Sequence, residues 1–188
     1  RGGRGSASVA EKRKSMKIEY YMEQSLLGLL KKKPIDEIRA TEIIDGVGTC
    51  KGTFYKYYRD KYDLLLRSFR NNIYGDIPET SADWREFVAR CLSVFEQNAP
   101  VILNAFSSSD VNSARHHNER LLRDVLYAER LENGLETGGE VYELAINIFS
   151  ANITDIIVDW LHTGCKRSHE KLIGVMRDVM PVILCPSP

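Results

Sequence analysis

Apolar residues recur at helical spacing along almost the whole chain, and this periodicity limits the fold more than any other feature. It is first seen on one face of a helix predicted over about residues 15–32. The apolar positions there follow an i, i+4, i+7, i+8 pattern: Met22, Leu26, Leu29 and Leu30. Later segments repeat this pattern, and no segment alternates apolar and polar residues as a half-buried strand would. The sequence therefore predicts an all-α fold.

Glycines, prolines and changes in composition divide the chain into an arm and two helical domains. Residues 1–14 lack an apolar period and are predicted to be a flexible basic arm. Residues 15–74 are predicted to hold three short helices and a linking fourth, with Gly46 and Gly48 near the turn between the second and third. Such a turn has the size found in helix-turn-helix units. Residues 75–188 are predicted to form a second domain that is helical throughout.

The net charge of zero conceals a strong asymmetry between the two parts of the chain. Residues 1–70 contain 16 Lys/Arg against 9 Asp/Glu, a net charge of +7, whereas residues 71–188 contain 10 against 17, a net charge of −7. This division favours a basic module that binds a polyanion and an acidic module with another role.

The sequence also predicts the cellular location of the protein. No apolar run approaches the length that spans a bilayer, and the first residues lack the apolar stretch of a secretion signal. We therefore expect a cytoplasmic protein that does not associate with a membrane. At 188 residues, with 43% hydrophobic residues, the chain is long enough to form a packed core.

Neither the cysteines nor the histidines predict a metal or a cofactor. The cysteines are scattered and lack the paired spacing of zinc ligands, so we expect reduced thiols: Cys50, Cys91, Cys165 and Cys185. His162, Cys165 and His169 have an i, i+3, i+7 spacing, but Gly164 and Ser168 interrupt the helix that would align them. We expect no metal and no cofactor.

The third predicted helix, roughly residues 50–57, carries cations and tyrosines on one face. With Phe54 and Tyr58 turned inward at i, i+4 spacing, the outward positions are Lys51, Thr53, Lys56 and Tyr57. Such side chains can reach phosphate oxygens and base edges. Gly52 costs about 1 kcal/mol in a helix relative to alanine, and its bare backbone would allow close approach to a groove wall. A merely solvated helix face is the alternative, but the preceding short helix, the glycine turn and the basic charge favour DNA.

The segment from Lys33 to Leu65, KPIDEIRATEIIDGVGTCKGTFYKYYRDKYDLL, resembles the DNA-binding domain of TetR-family transcriptional regulators. The resemblance covers residues 15–70 and is to the subgroup with a KPID-x-I lead-in and a TFY-x-x-Y-x-DKYDLL exit. Near the end of the chain, ITDIIVDWLHTGCKRSHEKLIGVM resembles that subgroup's closing helices, which a W-L-x-x-G turn joins at a dimer interface. The intervening region, about 75–138, matches only in helical character.

The resemblance implies a homodimer whose paired recognition helices enter successive major grooves of a pseudo-palindromic operator. Binding of an effector, whose identity the sequence does not give, in the C-terminal domain would change the separation of the two heads and lower affinity for the operator.

Pattern and resemblance together predict the residues of the DNA-binding face. Lys51, Thr53 and Lys56 would contact bases or adjacent phosphates, and Tyr55, Tyr57 and Lys61 would clamp the backbone. The other residues assigned to this face are Arg39, Thr41, Thr49 and Gly52. Cys50 stands where the family usually has a small polar capping residue, and Thr49 is the alternative cap.

Two further sets of residues follow from the resemblance. The aromatic residues expected to line an effector cavity are Trp84, Phe95, Phe106 and Tyr127. Residues 140–180 are apolar on more than one face, so we expect a dimer interface there. The residues predicted to form it are Ile148, Asn152, Ile156, Trp160, Leu172 and Met176.

Two other functional classes are considered. A catalytic role is not expected, because no nucleophile has a partner base at motif spacing and no glycine loop could cradle a phosphate. An interaction protein remains the alternative: a regulator or co-activator that acts mainly through a protein partner bound by the acidic C-terminal domain. A helical protein that makes no DNA contact is the third possibility. The leading hypothesis is a repressor released from its operator by a small molecule.

Overall fold

The computed structural model describes residues 4–75, 83–134 and 138–185, with side chains from residue 16 onward. All regular structure in these ranges is helical, as predicted. The helices are α1 Arg4–Leu30, α2 Ala40–Val47, α3 Lys51–Tyr57, α4 Lys61–Asn72, α5 Trp84–Gln97, α6 Ala99–Phe106, α7 Ala114–Glu132, α8 Glu140–His162 and α9 His169–Asp178. Two short 3₁₀ turns join them: the first turn is Ile35–Glu37 and the second turn is Val182–Leu184.

The helix starts are fixed by side chains that accept hydrogen bonds from free backbone amides. Asp60 accepts from the amides of Tyr62 and Asp63 at the start of α4. Ser168 does the same for α9 by accepting from the Lys171 amide. Local capping of this kind determines where these two helices begin.

The start of α1 differs from the prediction. The sequence predicted a flexible arm over residues 1–14 and a helix from about residue 15, but α1 already begins at Arg4. Alanine, lysine, arginine and glutamate are good helix formers even where no apolar face is present, so a missing apolar period did not exclude a helix there. The first three residues lie outside the described ranges.

The N-terminal helices form a small core that α1 shares with α2 and α4. The side chains of Met22, Leu26 and Leu30 on one face of α1 are completely buried, which confirms the predicted apolar face. Glu23 lies at the edge of this face and accepts hydrogen bonds from Asn71 and Asn72 at the end of α4, with N–O distances of 2.8 and 2.9 Å. The N-terminal head is therefore held together by apolar packing and by one polar clamp.

The remaining helices form the body, in which α8 is the central element. By length and composition alone, α8 is long and apolar enough to cross a bilayer. The expectation that no apolar segment approaches this length is therefore wrong. Within the chain, however, it buries Ile146, Phe149, Ile153 and Ile157 against the other helices, and it exposes Asp155 and Asp159. A core helix of a folded domain has these properties, and we assign α8 that role.

Candidate nucleic-acid interface

A tight turn joins α2 to α3 and depends on one glycine. Gly48 ends α2 in the left-handed conformation with φ 67°, a conformation that side chains other than glycine rarely adopt. The next amide, that of Thr49, donates to the Ile44 carbonyl at 3.2 Å and closes the last turn of α2. Only three residues therefore separate the end of α2 from the start of α3, which is the spacing of a helix-turn-helix.

The glycine within α2 serves packing. A Cβ atom added to Gly46 would lie 2.5 Å from the Ser25 hydroxyl oxygen of α1. That hydroxyl donates to the Ile43 carbonyl at 3.2 Å. Gly46 thus allows α2 to cross α1 closely, and α2 remains helical through this position rather than frayed.

Two aromatic residues anchor α3 to the head. Phe54 and Tyr58 are buried, and their ring centroids lie 5.6 Å apart. Burial raises the pKa of the Tyr58 hydroxyl far above its ordinary value, and the nearby Glu23 carboxylate adds to the effect. This inward pair leaves the opposite face of the short helix turned to solvent, as the i, i+4 spacing predicted.

The outer face of α3 presents two cations and one tyrosine to solvent. Lys51 and Lys56 are exposed, and 58% of the Tyr55 surface is accessible. Tyr57 is half-buried, with the Lys56 ammonium 5.7 Å from its ring centroid. Gly52 lies on the same surface, and a Cβ added there would meet only the Cys50 sulfur, at 3.9 Å. The face can approach a polyanion without moving any part of the head.

Cys50 is the capping residue of α3, and its side chain accepts no capping hydrogen bond. Thr49 is not the capping residue, because α3 begins at Lys51, directly after Cys50, and the Thr49 amide closes the end of α2. The Cys50 sulfur instead lies 3.3 Å from the Thr53 hydroxyl, and this contact lowers the pKa of the thiol below its ordinary value. Thr53 is half-buried and keeps its hydroxyl at the margin of the outer face.

Lys61 does not have the position that a phosphate contact requires. Its ammonium donates to the carbonyls of Ile35, Asp36 and Ile38, with N–O distances of 2.7, 3.1 and 3.1 Å. An ammonium has three donors, so all of them are used within the head. The predicted backbone clamp is therefore corrected: Lys61 fixes the first 3₁₀ turn. Sequence could not show this, because the carbonyls lie more than twenty residues away.

Arg39 and Thr41 lie exposed at the start of α2, beside the turn, as the prediction requires. The Arg39 amide donates to the Glu42 carboxylate, and the Lys33 ammonium lies 2.6 Å from the same group. The hydrogen bond from Lys33, followed by that from Arg39, lowers the pKa of Glu42. Glu42 is therefore ionised, and it pairs with Lys33 and with the backbone at the start of α2.

Arg59 is a further exposed cation that the predicted site omitted. It follows α3 directly, and its side chain is 86% exposed. Its Nε atom is 4.0 Å from Asp63, a carboxylate that Arg67 approaches more closely, at 3.2 Å. The excess of cations between Gly46 and Tyr62 was the available signal for Arg59.

A polar junction connects the head to the body, and we define it as Asp36, Tyr62 and Ser108. The Tyr62 hydroxyl donates to the Asp36 carboxylate at 2.7 Å and lies 3.3 Å from the hydroxyl of Ser108 in the α6–α7 loop. The bond from Tyr62, and then that from Ser108, lowers the pKa of Asp36. A second connection runs from Tyr74 through Asn118 of α7 to Thr154 of α8, with distances of 3.2 Å at both steps.

The residues predicted to line an effector cavity do not lie around one cavity. Phe95 and Phe106 are buried and pack against each other at a centroid distance of 5.7 Å. Tyr127 is half-buried and donates to Glu143. Trp84 alone borders a small pocket, near one end of the body. Aromatic residues at helical spacing mostly fill the core, which is why type and spacing could not separate the two roles.

The predicted dimer residues divide into two groups. Trp160, Leu172 and Met176 are buried within the single chain, where the Trp160 ring nitrogen donates to the Arg167 carbonyl at 2.9 Å. These three cannot form an interface and are corrected to core residues. Ile148 and Asn152 are exposed on α8, and Ile156 is half-buried. Other large apolar residues are also exposed in this part of the chain, on α8, on α9 and directly after α9: Val141, Leu144, Val175 and Val179.

A cationic helix held behind a glycine turn, on a scaffold that is helical in every described range, defines a helix-turn-helix transcriptional regulator. A model of the TetR C-terminal type, described as "Transcriptional regulator C-terminal region", matches residues 82–181. The chain therefore belongs to the TetR family of transcriptional regulators, which bind DNA and are not enzymes. The family resemblance inferred from the sequence is confirmed, while the subgroup stays a prediction.

Solved structures show the same fold at low identity. A TetR transcriptional regulator from Streptococcus agalactiae 2603V has a TM-score of 0.72 and 18% identity, covering 93% of this chain and 99% of that one. A TetR regulator from Rhodococcus sp. RHA1 has a TM-score of 0.57 and 15% identity, covering 89% and 98%. The dihydroxyacetone kinase operon activator DhaS has a TM-score of 0.57 and 17% identity, covering 87% of this chain and 93% of that one. A comparison with curated proteins finds no match.

Proposed function

We propose that this chain represses transcription as a homodimer bound to a palindromic operator and that a small-molecule effector in its C-terminal domain releases it. The observation that carries the proposal is the outer face of α3, where Lys51, Tyr55 and Lys56 are exposed over the buried Phe54 and Tyr58. Two such helices, about 34–36 Å apart in a dimer, would enter successive major grooves.

The roles on this face follow from the chemistry of each side chain. Lys51, Thr53 and Lys56 contact base edges or adjacent phosphates, while Tyr55 and Tyr57 donate hydrogen bonds to the DNA backbone. Arg39, Thr41 and Thr49 lie beside the turn, and we add Arg59 as a phosphate contact. Gly52 provides close approach. Lys61 is left out, because its donors are already satisfied.

Release by an effector requires a path between body and head. The polar junction and the buried series Tyr74, Asn118 and Thr154 both bridge the two parts. A shift of α7 or α8 in the body would therefore move α4 and, with it, the head. Coupling of this kind between two sites typically amounts to about 1–3 kcal/mol.

The alternative is a regulator or co-activator that acts through a protein partner bound by the acidic body. The operon activator DhaS shares the fold, so a TetR-like scaffold is compatible with activation as well as repression. A chain of this second kind would give weak DNA binding alone and would need its partner for a stable complex.

A mobility-shift assay with the DNA that flanks the protein's own gene tests the proposal. We expect a shift at low salt that weakens as the salt concentration rises, because lysine contacts release counterions. Lys51→Ala should weaken binding by about tenfold. Lys166→Ala, which removes an exposed lysine in the turn after α8, is the matched control and should leave the affinity unchanged. A complete lack of salt-dependent binding would reject operator binding by the chain alone.

A further inference from the structure

A small pocket lies at one end of the body, where the start of α5, the end of α7 and the start of α8 meet. Trp84, Glu129, Arg130 and Tyr142 line it, together with Leu184 of the second 3₁₀ turn. The pocket as it stands has room for about one water molecule. Its walls combine two aromatic rings with a carboxylate, a set of groups that suits a cation.

Glu129 is the feature of this pocket that most needs an explanation. The residue is 9% exposed, and its Oε2 atom accepts a hydrogen bond from the Trp84 amide at 3.2 Å. Among the described residues, no other group donates to this carboxylate. Burial raises the pKa of Glu129 above its ordinary value. The bond to Trp84 caps the start of α5, but a neutral glutamine could accept it equally well, so the cap does not require a charge.

The protein's own cation already occupies one aromatic wall of the pocket. The guanidinium carbon of Arg130 lies 4.6 Å from the centroid of the Tyr142 ring, a cation–π distance. The same side chain donates from Nη1 to the Ile183 carbonyl at 2.9 Å and so holds the second 3₁₀ turn beside the pocket. Arg130 therefore connects the Tyr142 ring to the second 3₁₀ turn, which contributes Leu184 to the lining.

We propose that this pocket binds a small organic cation, such as an alkylammonium, which displaces the Arg130 guanidinium from Tyr142 and pairs with the Glu129 carboxylate. Displacement breaks the bond to Ile183 and lets Leu184 move away, which enlarges the pocket around the ligand. The site deepens the proposed function, on which it rests, by giving the effector a chemical class. The second 3₁₀ turn packs on α8, so its release would reach the helix that carries the exposed apolar residues.

Tryptophan fluorescence tests binding without DNA. The chain has two tryptophans, and Trp160 is buried against Arg167, outside the pocket. We expect choline to change the fluorescence saturably in the full-length protein and in Trp160→Phe but not in Trp84→Phe. The neutral isostere 3,3-dimethylbutan-1-ol should bind at least about tenfold more weakly, because it lacks the charge. Equal binding of the two probes, or no saturable change with choline, would overturn the proposal.

Substitutions in the pocket should act in opposite directions. Glu129→Gln should weaken choline binding by about tenfold, because it removes the charge that pairs with the ligand. Arg130→Ala should tighten binding, because it vacates the Tyr142 ring. Glu132→Gln removes an exposed carboxylate from the same helix. This control should change the affinity for choline by less than about twofold, as expected of a site that does not contact the ligand. Unchanged affinity in Glu129→Gln, measured also by calorimetry, would contradict the assignment.

The two proposals can fail separately. If choline binds as described but leaves the DNA complex intact, the cation site stands and effector-controlled release is rejected. If DNA binding depends on α3 as proposed but neither choline binding nor its dependence on Glu129 is observed, the cation site is rejected and the regulator remains.

Discussion

At the scale of single residues, Gly52 has an identity that the packing of the head does not explain. A side chain at this position would meet only the Cys50 sulfur, at an ordinary contact distance of 3.9 Å. By contrast, Gly46 packs against Ser25, and Gly48 has a left-handed backbone. A glycine retained on an exposed face without an internal reason indicates an external one, namely close approach of another molecule.

Gly52→Ala should therefore separate stability from DNA binding. We expect the free energy of unfolding to rise by up to about 1 kcal/mol, since alanine is the better helix former. Affinity for the operator should fall by about tenfold, because the new methyl group holds the backbone away from the groove. Denaturant unfolding and a mobility-shift titration measure the two effects. A variant with unchanged affinity would show that Gly52 does not face the DNA.

At the scale of elements, the start of α4 connects three parts of the molecule. Lys61 donates to the carbonyls of the first 3₁₀ turn, and Tyr62 bridges Asp36 and Ser108. Burial lowers the pKa of Lys61, although nearby acids oppose the shift. These contacts assign α4 the role of fixing the head to the body, whereas α3 provides the surface.

The two lysines at Lys61 and Lys56 should consequently respond differently to the same substitution. Lys61→Met should lower the free energy of unfolding by about 1–3 kcal/mol, because three carbonyls lose their donor. The salt dependence of its DNA binding should stay unchanged. Lys56→Met should leave stability unchanged and reduce the slope of log affinity against log salt by about 1 per protomer. A reduced salt-dependence slope in Lys61→Met would show that Lys61 does contact a phosphate.

At the scale of the whole molecule, the apolar residues exposed on α8 and α9 determine whether the protein works alone or in pairs. Val141, Leu144 and Ile148 lie on successive turns of α8, and 49% of the Ile148 surface is accessible. Val175 lies on α9, and Val179 follows the end of that helix four residues later. A soluble monomer rarely exposes this many large apolar residues on neighbouring helices, so we expect a second copy to cover them.

Ile148→Asp should convert the proposed homodimer into a monomer at micromolar concentration. A carboxylate placed inside an apolar interface would lose its hydration without gaining a partner, which should raise the dissociation constant of the dimer by at least about a hundredfold. Light scattering coupled to gel filtration measures the mass. Val111→Asp is the control, because Val111 is exposed in the α6–α7 loop. A monomeric wild type, or an unaffected mass in Ile148→Asp, would exclude this surface as the interface.

The sequence by itself determined the helical fold, most helix limits, the glycine turn and the outward face of α3. These features depend on interactions within about four residues along the chain, such as caps, glycine conformations and the i, i+4 spacing of Phe54 and Tyr58. Local spacing states which side of a short helix is apolar, and that was sufficient to place Lys51 and Lys56 on the surface.

Only the tertiary structure decided which of the remaining candidates face inward. Lys61 was expected at the DNA and instead binds carbonyls of the first 3₁₀ turn, while Trp160, Leu172 and Met176 proved to be core residues. A side chain at the edge of a helix can make its contacts within the chain or with another molecule. The residue type does not distinguish the two cases. Groups that are distant in the sequence and become neighbours only on folding determine which of these contacts form.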